Sequence, residues 1–201
     1  MQNLQDVTTQ WIELIHQVHG QDLASQVHLH RQIPATPTDT LGDILQIQHH
    51  YNCQLWAQED IARSLSISVE KLAAVKRRID TLNQQRNNWI EEINERFMQA
   101  LIQMKIKPLQ DARLNTETIG SVIDRLSILS QRIRALDKLS RDTNTEVSQP
   151  ATEMLFTCQK QQKVLTNSLG ELFIDVLLGK KIHYSFRMMK LYNDKRFNPF
   201  L

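Results

Sequence analysis

Few residues in this chain break a helix or staple a fold. Five glycines and five prolines in 201 residues argue against a protein built from many turns and short strands. Two cysteines, Cys53 and Cys158, are too few for a disulfide framework and too far apart for a metal-binding pair. A reducing cytoplasm is the expected setting. No apolar run approaches the ~20 residues of a membrane span. The start, MQNLQDVTTQWIELI, lacks the basic residues and apolar stretch of a signal peptide. A net charge of +2 is too small to argue for a nucleic-acid partner. Glycine-rich phosphate loops, nucleophile elbows and zinc fingers are absent from the sequence.

What is present favours helix: Leu, Ile, Gln, Lys, Arg and Glu dominate. The length suits one domain over residues 1–201, an all-α antiparallel bundle of about five long helices with a short C-terminal helix or tail. Apolar spacing and stop signals predict helices over Leu4–His19, from near Thr40 to Leu65, Val69–Lys105, Glu117–Ser140 and Ser148–Leu178. Ser68 and either Asn115 or Thr116 are N-cap candidates, Pro150 fits the first turn of helix five, and Gly179 is a C-cap candidate. Between helices one and two, residues 21–40 suggest a short helix and then a loop forced by Pro34 and Pro37.

Charge is unevenly spread. Residues 1–50 hold Arg31 against five acidic groups, whereas residues 179–201 hold six basic groups against Asp194. The tail KKIHYSFRMMKLYNDKRFNPF mixes these cations with aromatics. The expectation is that it packs its rings on the bundle and leaves Lys and Arg in water. Six of seven histidines lie in the first fifty residues. His16 and His19 are spaced as a possible ligand pair, but no Glu-x-x-His motif supports a metal, and neither metal nor cofactor is expected.

The second helix, in NCQLWAQEDIARSL, carries the most informative pattern. At 100° per residue, Asn52, Trp56, Glu59 and Arg63 fall within about 40° of one line with Leu41 and Leu45, and Gln48 shares that face. In helix three, Lys76, Asp80, Asn83, Asn87 and Asn94 form a second polar row, and Arg86 lies within the apolar stripe. A short connection makes the helices antiparallel neighbours. That register sets Glu59 near Lys76, Trp56 near Asp80 and Asn52 near Asn83, a buried polar row in which each charge needs a partner.

LWAQEDIAR, AVKRRIDTLNQQRNNWIEEI, GSVIDRLSIL and LYNDKRFNP together resemble the bacterial domain-of-unknown-function family 4254, from about Leu41 to the C-terminus. Matching positions include Asn52, Leu55, Trp56, Glu59, Asp60, Arg63, Lys76, Arg77, Asp80, Asn83, Arg86, Asn87, Asp124, Arg125, Ser127 and Asn193. Lys195 stands where the family usually has a proline. The resemblance implies no established activity. It implies proximity to glycosyltransferase genes of surface-polysaccharide assembly, which is association rather than mechanism. It also draws attention to Asp124 and Ser127, one helical turn apart. Asp124 lies outside helix four's inward face, so it is expected to meet another helix or pair locally.

The expected function is capture of a small anionic ligand, such as a phosphorylated sugar, a nucleotide sugar or a carboxylate, between helices two and three. Glu59 would be the general acid or base. Asn52, Trp56, Asp60, Arg63, Lys76, Asp80, Asn83, Arg86 and Asn87, with Asp124, Arg125 and Ser127 from the resemblance, would contact the ligand. The alternative is a non-catalytic interaction or scaffold protein for envelope-glycan enzymes, its polar cluster purely structural. A homo-oligomer is expected because Ile47 and Ile61 face outward on helix two.

Overall fold

The computed structural model describes residues 4–21, 41–189, 191 and 194–200. Five helices carry the architecture: α1 Leu4–His19, α2 Leu41–Ala62, α3 Val69–Gln103, α4 Ile119–Leu139 and α5 Thr145–Leu177. Two hairpins, α2–α3 and α4–α5, pack against each other, and α1 touches α2, α4 and α5. The fold is an all-α bundle. The proposed short helix after α1, the Pro34–Pro37 loop, His28, His30 and Asn193 lie outside the described residues.

Side-chain caps fix where the helices begin. Ser68 accepts from the Lys71 amide at the start of α3. Thr118, rather than Asn115 or Thr116, caps α4 in a reciprocal box with Ser121. Asn144 accepts from the Glu146 amide, so α5 begins before Ser148 and Pro150 falls in its second turn. That position is exposed, and water can serve the carbonyl that proline leaves without its amide.

Two helices end in the same motif. At α5, Lys180 N donates to Asp175 O and Gly179 N to Val176 O, with Gly179 at φ +72°. A Cβ at Gly179 would also sit 2.6 Å from Lys107 O, so space and conformation both demand glycine. At α3 the left-handed residue is Lys105, φ +56°, and Ile106 N reaches Leu101 O. The linker after α3 is stitched to the end of α5 by a two-residue parallel pair, β1 (Arg113–Leu114) with β2 (Lys181–Ile182). Residues 183–189 carry no helix, so of the expected short helix or tail it is the tail that they form.

Ile44 and Leu45 of α2, Ile79, Leu82, Ile93 and Phe97 of α3, Ile119 and Leu126 of α4, and Leu169 and Phe173 of α5 form one core. Trp11 closes it with edge contacts to Phe97 and Phe173 at 5.3 and 5.2 Å. Ile47 packs against this core rather than facing outward, because α2 is covered on more than one side; Ile61 remains exposed.

Candidate functional site

The buried face of α2 is partly polar, because α4 supplies partners for it. Gln48, His49 and Asn52 are buried beside Ile44 and Leu45. Asp124 of α4 is the hub. Its Oδ1 accepts from Gln48 Nε2 at 2.6 Å and from Asn52 Nδ2 at 2.9 Å. Arg86 of α3 places Nε 3.4 Å from the same oxygen, an ion pair without hydrogen-bond geometry. Burial pushes the Asp124 carboxyl above its usual value, and Arg86, Asn52 and Gln48 offset part of that rise.

A second chain of polar contacts starts at Asn52. Its Nδ2 also donates to Ser127 Oγ at 2.9 Å, and Ser127 Oγ lies 2.7 Å from His49 Nδ1. His49 Nε2 is 3.2 Å from Gln21 O. A carbonyl only accepts, so His49 carries a proton on Nε2, and Ser127 donates to Nδ1. That assignment gives each contact from Asn52 through Ser127 and His49 to Gln21 one donor and one acceptor. Ser127 and His49 are fully buried, so this serine–histidine contact is a structural relay with no path for a substrate.

Next to the network lies an open cleft of about 360 Å³, lined by Asn52, Leu55, Trp56, Glu59, Asp60, Arg63, Arg86, Ile128, Gln131 and Arg132. Asn52 and Arg86 belong to both, so the hub holds the cleft's floor from behind. Asn83 accepts from Arg86 NH1 at 3.5 Å. At the rim, Arg63 donates to Glu59 at 2.9 Å. Arg132 makes no hydrogen bond or ion pair among the described residues. Three guanidinium groups around one cleft suit a phosphate or carboxylate anion, and an unpaired one has no existing bond to give up on binding.

The structure therefore gathers Asn52, Trp56, Glu59, Asp60, Arg63 and Arg86 as lining residues, and sets Asp124 and Ser127 behind them. The geometry differs from the expected α2–α3 sandwich. Lys76 and Asp80 are exposed, Glu59 pairs with Arg63 instead of Lys76, and Asn87 is buried outside the cleft. The polar face of α2 turns to α4, whose Asp124 and Ser127 satisfy its amides. Arg125 pairs with Glu117 at 3.1 Å and lines a neighbouring groove between α4 and α5. Asn94 acts elsewhere: its Oδ1 accepts the Gly120 amide at 2.8 Å, joining α3 to the start of α4.

Sequence reasoning missed Arg132 and His49. Arg132 was legible as the residue two turns beyond Asp124 on α4, after Ile128. Nothing in the sequence set His49 apart from the other histidines near the N-terminus. His16 contacts Thr166, and His19 stacks at 5.1 Å on His49. Among the described residues no group of three His, Cys, Asp or Glu side chains is placed to hold a metal ion. Nor is any helix among them long and apolar enough to cross a membrane.

Residues 42–184 match the model of a family described as "Protein of unknown function (DUF4254)". No curated protein and no solved structure gives a significant match.

Proposed function

The chain belongs to the DUF4254 family, and from that premise we propose that the cleft between α2, α3 and α4 captures a small anionic molecule. The observation that carries this reading is the unpaired Arg132, which lines the same open cleft as Arg63 and Arg86. Phosphorylated sugars, nucleotide sugars and carboxylates are the ligand classes that match three guanidinium groups. Trp56, at the rim, offers a flat face to a sugar or base. Glu59, bonded to Arg63 at the rim, would exchange a proton with such a ligand. The family association with surface-polysaccharide assembly suggests a cytoplasmic, bacterial setting beside glycosyltransferases.

Titration calorimetry with those three classes tests the reading. One class should bind, with affinity that falls as salt rises. Failure of every class to bind overturns it. Glu59→Gln then separates two roles: a catalyst loses turnover and keeps binding, whereas a binding protein shows no turnover in either form.

A second reading, an interaction protein for envelope-glycan enzymes, is favoured by the exposed apolar residues Leu139, Met154, Phe156 and Val164 on the α4–α5 hairpin.

A further inference from the structure

Helix α5 has 33 residues, yet none of residues 152–168 is buried; Ala151 and Leu169 bracket the bare stretch. Helices in proteins owe most of their stability to a packed face. Here one stripe of the bare stretch is left to solvent. Glu153, Phe156, Lys160 and Val164 lie within about 40° of a single line along the helix. Phe156 is 70 % exposed and Val164 59 %. Glu153 and Lys160 form no ion pair among the described residues.

The order of these residues is self-complementary. The acidic group lies toward the N-terminus, the basic group two turns later, and the phenyl ring midway between them. We propose that the stripe is the contact between two copies of this chain, with α5 crossing α5 antiparallel about a two-fold axis between Phe156 and Thr157. That axis sets Glu153 of each copy against Lys160 of the partner subunit, and packs the two Phe156 rings at the centre. A two-fold interface requires such a patch, the same on both sides. A parallel crossing would oppose like charges.

The bare stretch is about 25 Å long at ~1.5 Å per residue. With α4 beside it the footprint is about 20 Å wide, so the pair would bury on the order of 1,000 Å² in all, the lower bound for a specific interface. That size fits a reversible dimer. The contact forms whether or not the cleft holds a ligand.

Sedimentation velocity on the full chain, from about 1 to 100 µM, tests this. The wild type should pass from monomer to dimer. Glu153→Lys should raise the dissociation constant about tenfold or more, because each new lysine faces a lysine. The double variant Glu153→Lys/Lys160→Glu should return to within about threefold of wild type, because both pairs are reversed. Circular dichroism of each variant confirms the fold, and all these sites are exposed. A wild type that stays monomeric, a dimer indifferent to Glu153→Lys, or a double variant that fails to recover each overturns the proposal.

Discussion

Asp124→Ala removes the acceptor at the centre of the buried network, and its cost can be worked from the partners. Gln48 is 0 % exposed, and its Oε1 has no hydrogen-bond partner. Losing Asp124 leaves its whole amide unbonded, at about 1–3 kcal/mol. Asn52 keeps Ser127 at 2.9 Å and loses less. Arg86 loses its counter-charge, which in a sealed site costs ~3–5 kcal/mol. Its side chain is 26 % exposed, however, and can turn toward cleft water. Relief of the buried carboxylate, whose raised pKa marks its desolvation, offsets part of the rest. The net loss is about 3 kcal/mol, or a fall in Tm of roughly 6–12 °C for a chain of this size. Thermal unfolding followed by circular dichroism measures it. Adding Gln48→Leu removes the orphaned amide, so the double variant should recover about 1–2 kcal/mol relative to the sum of the singles. A fall below about 2 °C, or strict additivity, would refute the hub.

Two further outcomes follow from the fold. Burial lowers the pKa of His16, His19 and His183 from 6.5, so the fold favours their neutral forms. Their stability contribution is complete above pH 6.5 and is lost as pH falls through the lower folded-state values. Tm should therefore drop between about pH 7 and pH 5. His19→Asn should flatten that slope, since His19 is the most deeply buried of the three; an unchanged slope would remove His19 from the account. Gly120 lets α4 approach α3, and a Cβ there would lie 2.5 Å from Ile90 O. Gly120→Ala should destabilise by about 3 kcal/mol in chemical denaturation, with Asn94 also displaced; a change below about 1 kcal/mol would deny the close approach.

The helices were legible because their apolar periodicity is long and their stops are strong. Ser68 and Gly179 mark ends that the structure bears out. The start of α5 was not legible, because Pro150 suggested a first turn and Asn144, further upstream, is an equally good cap. The inward polar face of α2 could be read from Gln48 and Asn52 interrupting an apolar stripe. Its partner could not. A short loop argued for α3, whereas the satisfying groups sit on α4, more than seventy residues away in sequence. Helical spacing identifies a face but not the helix that covers it. The same limit made Lys76 and Asp80 look like members of the buried row, when that turn of α3 buries Val75 and Ile79 and leaves the Lys76–Asp80 face exposed.

The claim that the cleft binds an anion stands or falls most directly on Arg132. It is exposed and makes no bond among the described residues, so Arg132→Gln should leave the unliganded Tm within about 1 °C of wild type. Both proteins are melted with graded concentrations of phosphorylated sugars, nucleotide sugars and carboxylates. The account predicts that at least one compound raises the wild-type Tm in proportion to the logarithm of its concentration, and that Arg132→Gln loses most of the shift. No shift with any compound, or an equal shift in both proteins, would contradict it.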